Sequence, residues 1–458
     1  MRAAGVGEPA AEAPGEARAD RAVRALRAKG EEAGAAAQAA QAQGAAGGPG
    51  DGGNPGKNDP SHPDKDKRPG ETSGADADHQ CQGGHPVDLV TGAVVDEEVD
   101  LDIPGLIPLV FKRVYSSLRH KDSRATLGPG WAHGFEQRIE TLPKTCALRD
   151  GQGRWIYFDA IEVGESSFHR GERLTLSRPV DGEYRVYDHE SRRKSVFASA
   201  TPGGPIALAR IEDPYGNAIA LEYKAGKLAR IVDTAGRAVN VAWQGARIAS
   251  LALSAGTTGL VVSYDYDRAG RLRSVRDALG HAQSYEYDRL SRMVSTTTRS
   301  GPTFAYVYEG GGPRCTSSYG PEGLFQVDLQ RDEKNRTTFA DGEEPRVVVW
   351  NDKGLAERLL LPDGSRLDEA AYDEDGLLVA KANGAGEGWQ YWYDARGRRM
   401  RALDPMGLVT AYEYDGDRLV RVIGPDGHVT RYSHDELGSI IAVEYPWGEQ
   451  YTLRHDDR

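Results

Sequence analysis

Histidine and cysteine residues are the side chains that first suggest chemistry in this sequence. His79, Cys81 and His85 lie within seven residues of one another and are of the types that bind zinc. No fourth ligand follows at a usable spacing, so the favoured interpretation is the lead-in to a strand. His133 follows a Gly-Pro-Gly-Trp run. No nucleophile elbow or His-Glu-x-x-His pair accompanies it, which favours a structural histidine.

Two other patterns resemble ligand-binding loops. Residues 48–53 have the spacing of a dinucleotide fingerprint, but neither a strand before them nor a helix after them is expected. Residues 373–376 read Asp-Glu-Asp-Gly, and their glycine comes too early for a calcium-binding EF-hand loop. The other prominent carboxylates stand in turns. We therefore expect no catalytic residue, no cofactor and no metal site, and we do not expect an enzyme.

The composition narrows the class of protein further. The 458 residues carry a net charge of −12 with no basic stripe, which argues against nucleic-acid binding through phosphates. The three cysteines, Cys81, Cys146 and Cys315, are far apart and predict no disulfide framework. No apolar run is long enough for a membrane span, and no secretory signal peptide is recognisable.

Tyrosine–aspartate pairs recur along the chain at a fixed period, and this period predicts the fold. In the clearest copy, Tyr393-Asp394 is followed by Gly397, and a second turn begins at Asp404. Aspartate at the first position of such a turn accepts backbone N–H bonds, and glycine at the fourth tolerates positive φ. Two strands and two turns fill 21 residues, which is one β-hairpin per repeat.

The predicted fold class is therefore all-β, with serial hairpins of about 21 residues forming a spiralling sheet. The two tyrosines of each Tyr-x-Tyr segment point the same way, so each hairpin places two rings on one face. The positions that the repeat predicts to be structural are Tyr266, Asp267, Gly270, Tyr287, Asp288, Tyr372, Asp373, Gly376, Tyr393, Asp394, Gly397, Asp404, Gly407, Tyr414, Asp415, Asp435 and Gly438.

Changes in composition predict three segments. Residues 1–80 are low in complexity and are expected to be disordered. Residues 81–204 form a β-rich, non-repetitive leader block, and residues 205–458 form the hairpin array.

The leader block and the repeats together resemble a known family. Residues 85–138 carry Pro-Val-x-x-x-Thr-Gly, Pro-Gly-x-x-Pro-Leu, Arg-x-Tyr-Ser-Ser and Leu-Gly-Pro-Gly-Trp-x-His. These motifs resemble the domain that precedes the repeats of bacterial RHS proteins. The 21-residue period resembles the YD repeats of RHS proteins, toxin-complex C components and teneurins. The two resemblances together cover roughly residues 80–458.

The resemblance implies a partial, cocoon-like shell that encloses a C-terminal toxin in competition between bacteria. The expected partners are the remainder of the shell, the toxin, and secretion spike or adaptor proteins of a type VI system. The expected location is the cytoplasm before delivery, followed by export without a signal peptide. No nucleic acid and no membrane span are expected.

Some features depart from the family pattern. Residues 404–408 read Asp-Pro-Met-Gly-Leu, the letters that end the family's autoproteolysis motif, but the accompanying Gly-Gly-x-Asn run is absent. We therefore interpret them as an ordinary turn. The chain stops two residues into a new turn, which predicts a truncated gene product or the front part of a longer shell. An unpaired final strand would then make the C-terminal end prone to aggregation.

Two alternatives of other classes stay open from the residues alone. Exposed hairpins could form a carbohydrate-binding or cell-surface adhesion module, with the Tyr-x-Tyr rings stacked on sugars. Two hairpins together also approach the length of one blade of a β-propeller enzyme, although no blade signature is present. Glycan-array binding would favour the first alternative, and a closed ring in electron micrographs would favour the second.

Overall fold

The structure is a computed structural model. It describes residues 62–69, 71–72, 82–199, 205–254, 259–332, 335–341 and 344–454. These residues form β-strands and two short 3-10 turns, and no α-helix occurs among them. By packing they fall into two compact units, one ending at Pro362 and the other beginning at Asp363. The candidate metal ligands His79 and Cys81 and the glycine-rich residues 48–53 lie outside the described residues.

The first unit begins with the leader strands, which form two small antiparallel sheets. One sheet pairs β1 with β2, and the other has the order β3-β4-β5. Their bounds are β1 Gln82–Gly83, β2 Val87–Asp88, β3 Val95–Ile103, β4 Leu109–Ser116 and β5 Trp131–His133.

The next eight strands close into a ring. Each strand from β9 to β13 pairs with the one before it or after it, as do β6, β7 and β8. The strand β8 lies beside β9, and β13 returns to pair with β6 through Ile206 opposite Ile139. The bounds are β6 Arg138–Thr141, β7 Thr145–Arg149, β8 Trp155–Asp159, β9 Ser166–His169, β10 Leu174–Val180, β11 Glu183–Asp188, β12 Lys194–Ser199 and β13 Ile206–Glu212.

From β13 the sheet continues as a ladder of antiparallel hairpins in chain order. The first residues of β13 pair with β6, and residues 210–212 pair with β14. The ladder strands of this unit are β14 Ala218–Lys224, β15 Lys227–Val232, β16 Ala238–Gln244, β17 Arg247–Leu253, β18 Leu260–Tyr266, β19 Leu272–Asp277, β20 Ala282–Tyr287, β21 Met293–Thr297, β22 Thr303–Tyr308, β23 Cys315–Tyr319, β24 Val327–Asp332, β25 Arg336–Ala340, β26 Arg346–Trp350 and β27 Ala356–Leu360.

The second unit repeats the hairpin ladder without a leader. Its strands pair antiparallel in chain order from β28 to β36. Their bounds are β28 Arg366–Tyr372, β29 Leu378–Asn383, β30 Gly388–Tyr393, β31 Arg399–Leu403, β32 Val409–Asp415, β33 Arg418–Ile423, β34 Val429–His434, β35 Ile440–Glu444 and β36 Gln450–Thr452. The predicted all-β class and the serial hairpins are confirmed.

The leader strands and the ladder of the first unit share one hydrophobic core. Phe111, Tyr115 and Trp131 of the leader are fully buried, and they pack in the same cluster as Tyr264 and Tyr285 of the ladder. The alternation that pleating imposes on each strand puts these tyrosines on the face that meets the leader.

Two findings bear on the segments expected from composition. The expected boundary at residues 204 and 205 falls between β12 and β13, which pair along six positions, so the leader block and the array share a sheet there. Within the N-terminal stretch, Asp64 and Thr72 contact β8. The backbone N–H of Asp64 donates to the Tyr157 hydroxyl at 2.9 Å, and Thr72 forms a bridge with Ile156.

Candidate functional site

The turns of the hairpins are built around an aspartate carboxylate. Asp267 follows β18, and its Oδ1 accepts the backbone N–H groups of Ala269 at 2.9 Å and Arg271 at 3.0 Å. The Gly270 N–H donates to the Asp267 carbonyl oxygen at 3.0 Å, and Gly270 has a φ of +75°. The aspartate thus holds a tight four-residue turn that only a small, flexible residue closes without strain.

Other predicted positions occupy the same geometry. The tyrosines stand at or next to the last residue of their strands, and the aspartate after them accepts from the backbone two or four residues on. This turn geometry holds for Asp288, Asp373 and Asp394, which follow a tyrosine, and for Asp404 and Asp435, which follow Leu403 and His434. The glycines that close these turns are Gly376, Gly397, Gly407 and Gly438. Residues 404–408 are therefore an ordinary turn in the structure.

Asp415 departs from the expected pattern. It is the last residue of β32 and pairs directly with Arg418, so only Gly416 and Asp417 connect the two strands. Gly416 has a φ of +57°, which suits a two-residue hairpin loop. The loop after Asp415 is thus shorter than the four-residue turns of the other copies, because Gly416 and Asp417 suffice to connect the two strands.

An arginine four residues after the aspartate links the turn to the next hairpin, and we call this contact the arginine joint. The sequence analysis did not identify it. The Arg271 Nε donates to Asp267 Oδ2 at 2.6 Å, and its guanidinium lies 5.6 Å from the ring centre of Tyr287 in the next hairpin. Burial opposes ionisation of Asp267, but bonds from the Arg271 backbone and side chain outweigh it and lower the pKa of the carboxyl. The signal was present, since arginine follows Gly270 and Gly397 in the sequence.

This contact recurs in three described hairpins of the array. The arginines that pair with the turn aspartate and lie over the tyrosine sixteen positions later are Arg271, Arg292 and Arg398, over Tyr287, Tyr308 and Tyr414. An ion pair and a cation–π contact at one guanidinium fix each hairpin to the next.

The second tyrosine of several pairs donates a hydrogen bond from its hydroxyl to a main-chain carbonyl. Tyr308 donates to the carbonyl oxygen of Met293 at 2.7 Å, and Tyr393 donates to that of Leu378 at 2.9 Å. Burial raises the pKa of both hydroxyls, so they remain protonated donors at physiological pH. The ring supplies apolar area while the hydroxyl satisfies a main-chain acceptor.

In the first unit, Tyr264 and Tyr285, the first tyrosines of their pairs, bind the leader, and Arg113 stands at the centre of this contact. The Arg113 side chain is fully buried. Its Nε lies 2.9 Å from Asp100 Oδ2, and its Nη1 donates to the Tyr285 hydroxyl at 2.5 Å. The guanidinium also lies 4.7 Å from the ring centre of Trp131, and Tyr264 donates to Asp100 Oδ2 at 2.9 Å. We call this cluster, with Gln283 at 3.1 Å from Arg113 Nη2, the leader junction.

Further contacts extend the leader junction along the ladder. The Trp131 Nε1–H donates to the Tyr287 hydroxyl at 2.9 Å. The Met293 N–H donates to the Tyr115 hydroxyl at 2.8 Å. The His85 ring stacks on Phe304 at 3.5 Å between ring centres. A buried polar network whose members are paired specifies one arrangement of the two parts.

The burial of these side chains bears on two alternatives, sugar stacking by the tyrosines and catalysis by His133. The first tyrosines of three hairpins, Tyr264, Tyr285 and Tyr306, are at most 4% exposed, so their faces are not open to sugars. His133 is 2% exposed, its Nε2 lies 2.9 Å from the Thr126 hydroxyl, and its ring stacks on Phe111. Burial lowers the pKa of His133, which therefore packs as a neutral ring.

The part of the chain that the structure describes also bears on metal-ligand clusters, membrane-spanning helices and free thiols. No group of three or more histidine, cysteine, aspartate or glutamate side chains there is placed to hold a metal ion. No helix there is long and apolar enough to cross a membrane. Cys146 and Cys315 are buried free thiols, and burial raises their pKa.

Comparison with known proteins gives matches to two family models. A domain of unknown function, DUF6531, matches residues 84–158, which hold the leader strands β2 to β5 and the first strands of the ring. The RHS Repeat model matches residues 256–303, which hold the hairpins that carry Tyr264 and Tyr285.

Three curated relatives are similar over much of the chain. Double-stranded DNA deaminase toxin A of Burkholderia cenocepacia is 29% identical over 280 residues, 58% of this chain and 19% of that protein. Toxin protein Tse5 of Pseudomonas aeruginosa is 25% identical over 416 residues, 81% of this chain and 27% of that protein. Probable deoxyribonuclease RhsB of Dickeya dadantii is 25% identical over 361 residues, 76% and 23% respectively.

Solved structures give weaker matches. The crystal structure of TcdB2-TccC3 without hypervariable C-terminal region has a TM-score of 0.38 and 12% identity, covering 79% of this chain and 23% of that one. The TcdB2-TccC3-Cdc42 structure has a TM-score of 0.34 and 11% identity, covering 77% and 23%. The chain spans between 19% and 27% of the length of the curated relatives it matches.

Fold and leader junction together define a β-hairpin repeat protein in which a leader block packs against the tyrosine face of the repeats. The repeat is the Tyr-Asp-x-x-Gly unit with its arginine joint. The chain is similar to RHS (YD) repeat proteins, and its residues 256–303 match the RHS Repeat model.

Proposed function

We propose that this chain forms the leader block and the first part of the hairpin wall of an RHS-repeat toxin shell. The observation that carries the proposal is the leader junction, where Arg113 and Asp100 meet Tyr285 and Tyr264 of successive hairpins. Buried ionic groups with several partners fix one register between two parts of a protein. In this proposal residues 81–204 set the starting position of the wall that residues 205–458 build.

The cargo and its delivery are part of the same proposal. Two of the relatives are named as toxins and the third as a probable deoxyribonuclease, and this chain matches about a fifth to a quarter of their length. A complete wall would enclose a toxin domain carried C-terminal to the repeats, for use in competition between bacteria. The protein would stay in the cytoplasm until a type VI spike or adaptor exports it, without a signal peptide.

Protection of a C-terminal segment from protease tests the enclosure. The gene is expressed with all the in-frame sequence that follows codon 458 in its genome, and the folded product is treated with trypsin. We expect more Tyr-Asp repeats and a small unrelated domain downstream, and we expect that domain to survive digestion. A stop codon directly after codon 458, or digestion of the downstream domain at the rate of the isolated domain, contradicts the proposal.

A variant of the leader junction tests whether the leader helps to protect the downstream domain from protease. Arg113→Met leaves the buried Asp100 carboxylate without its main partner, so the leader should loosen and the protected domain should become cleavable. Arg268→Met is the matched control, because this arginine lies in an exposed turn. Equal protection in both variants would show that the leader does not help to close the wall.

Export is tested by separating cells from medium. A strain with an active type VI apparatus should release the protein, and deletion of a sheath component should abolish the release. A cytoplasmic enzyme measured in both fractions controls for lysis. Release that is unaffected by the deletion contradicts this route.

A further inference from the structure

Three carboxylates line one face of β3 at the leader junction. Asp96, Glu98 and Asp100 alternate with residues of the opposite face along the strand. Asp100 accepts from the Tyr264 hydroxyl at 2.9 Å, which shows that this face meets the tyrosines of the ladder. The carboxylates therefore lie where the leader and the hairpins pack together.

Two arginines balance two of these carboxylates. Arg113 Nε lies 2.9 Å from Asp100 Oδ2. Arg299 Nη2 lies 3.5 Å from Asp100 Oδ1, and Arg299 Nη1 lies 4.0 Å from Glu98 Oε2. Since three acids face two permanent cations, full ionisation would leave one unbalanced negative charge in a buried region.

Asp96 is the carboxyl group for which the described residues provide no ion-pair partner. It is 6% exposed, and its Oδ2 is buried with no hydrogen-bond partner among them. Titratable and charged groups face Asp96 from the packed strands. They are Glu98 and Asp100 on β3, Arg113 and Tyr115 on β4, Tyr285 and Tyr287 on β20, and Tyr306 on β22, and Tyr115 is the residue directly opposite Asp96 in the sheet.

We infer that Asp96 carries a proton in the folded protein and acts as a pH-sensitive latch between the leader block and the hairpins. A protonated carboxyl is neutral, so it balances the charge of the junction and can donate to a neighbouring acceptor. Deprotonation puts an unpaired charge in the core, and the leader then packs less tightly. This inference does not depend on the proposed function.

The direction of the pH effect follows from burial. Burial raises the pKa of Asp96 to about 7, and the attraction of Arg113 only partly offsets it. Between about pH 4 and pH 7 the folded protein holds a proton that the unfolded chain releases. The contribution of Asp96 therefore favours folding at the lower end of this range and is lost as the pH rises through about 7.

Substitution by a neutral isostere tests the latch in the full chain. Asp96→Asn fixes the uncharged state, and Asp102→Asn changes an exposed aspartate on the same strand. Urea midpoints are measured from about pH 5 to about pH 9. We expect the midpoint of Asp96→Asn to rise relative to wild type as the pH increases and to level off above neutrality. A difference that is constant with pH, or that Asp102→Asn reproduces, overturns the inference.

A second measurement does not require the Asp96 variant to fold. Infrared spectra of the wild type should show the C=O band of a buried protonated carboxyl below neutral pH and lose it in mild alkali. Glu98→Gln removes one of the three acids, so the band should disappear at lower pH in that variant. Absence of the band in wild type at about pH 5, or no shift in Glu98→Gln, overturns the inference.

Discussion

The hydroxyl of Tyr308 donates a 2.7 Å hydrogen bond to the carbonyl oxygen of Met293, fifteen residues earlier. Met293 is the first residue of β21 and Tyr308 the last of β22, so the bond joins the two strands at the end where no turn connects them. Tyr223 with Leu208 and Tyr393 with Leu378 repeat the same separation. The YD repeat is thus closed by a turn at one end of a strand pair and by a tyrosine hydroxyl at the other.

Removing that hydroxyl should weaken the array locally. Tyr308→Phe leaves the Met293 carbonyl without its side-chain donor, and we expect a loss of about 1–2 kcal/mol in the free energy of unfolding. The measurement is the urea midpoint, together with amide hydrogen exchange in β21 and β22. Tyr319→Phe is the control, because that ring is 42% exposed. Equal effects of the two substitutions would mean that the hydroxyl bond adds nothing.

The buried pair of Arg113 and Asp100 should behave as a unit. Arg113→Met alone leaves a buried carboxylate, and we expect a loss of about 3–5 kcal/mol. Asp100→Leu alone leaves a buried guanidinium and should cost a similar amount. The double substitution should cost clearly less than the sum, as measured by a double-mutant cycle in urea. Strict additivity would show that the two charges do not stabilise each other.

Replacing a turn aspartate by asparagine should destabilise the protein less than replacing it by alanine. Asp394 Oδ1 accepts two backbone N–H groups, and Asp394 Oδ2 binds Arg398. Asp394→Asn keeps the backbone bonds, as Asn351 does in its own turn. We therefore expect a loss of about 0.5 kcal/mol for asparagine and about 1–2 kcal/mol for alanine.

Thermal unfolding of the full chain measures this series. Asp368→Ala is the control, since Asp368 is an exposed strand residue in the same unit. An alanine variant as stable as the asparagine variant would contradict the role given to the backbone bonds.

Acid should destabilise the turns as the turn aspartates become protonated. Hydrogen bonds and arginine partners outweigh burial and lower the pKa of Asp267, Asp288 and Asp394. A lowered pKa means that the stabilisation is present above about pH 4 and is lost as the pH falls below it. Circular dichroism between about pH 6 and pH 2 measures the transition. A variant with all three residues changed to asparagine should lose less stability over this range, and an unchanged acid transition would contradict the assignment.

Sequence reasoning predicted the parts of the fold that depend on neighbours in the chain. Asp267 and Gly270 form a turn from atoms within five residues, so their types and spacing suffice. Asp415 shows the limit of the method, because Gly416 allows a shorter loop that keeps the same strand pairing. The arginine joint was visible in the sequence and required only that Arg271 be read together with the turn before it.

The leader junction could not be predicted from the sequence. Arg113 and Tyr285 are 172 positions apart, and nothing in their local sequence shows that they meet. The return of β13 to β6 joins Ile206 to Ile139 in the same non-local way. The motifs around the leader indicated a domain but gave no information on which face of the repeats would cover it.

The pairing of β13 with both β6 and β14 has a consequence for how such arrays lengthen. One side of β6 is held by β7 and the other by β13, so the start of the ladder offers no open strand to another chain. During synthesis, each new hairpin can therefore add only on the side of β13 where β14 pairs. The closed ring of β6 to β13 therefore fixes the direction in which further strands add to the sheet.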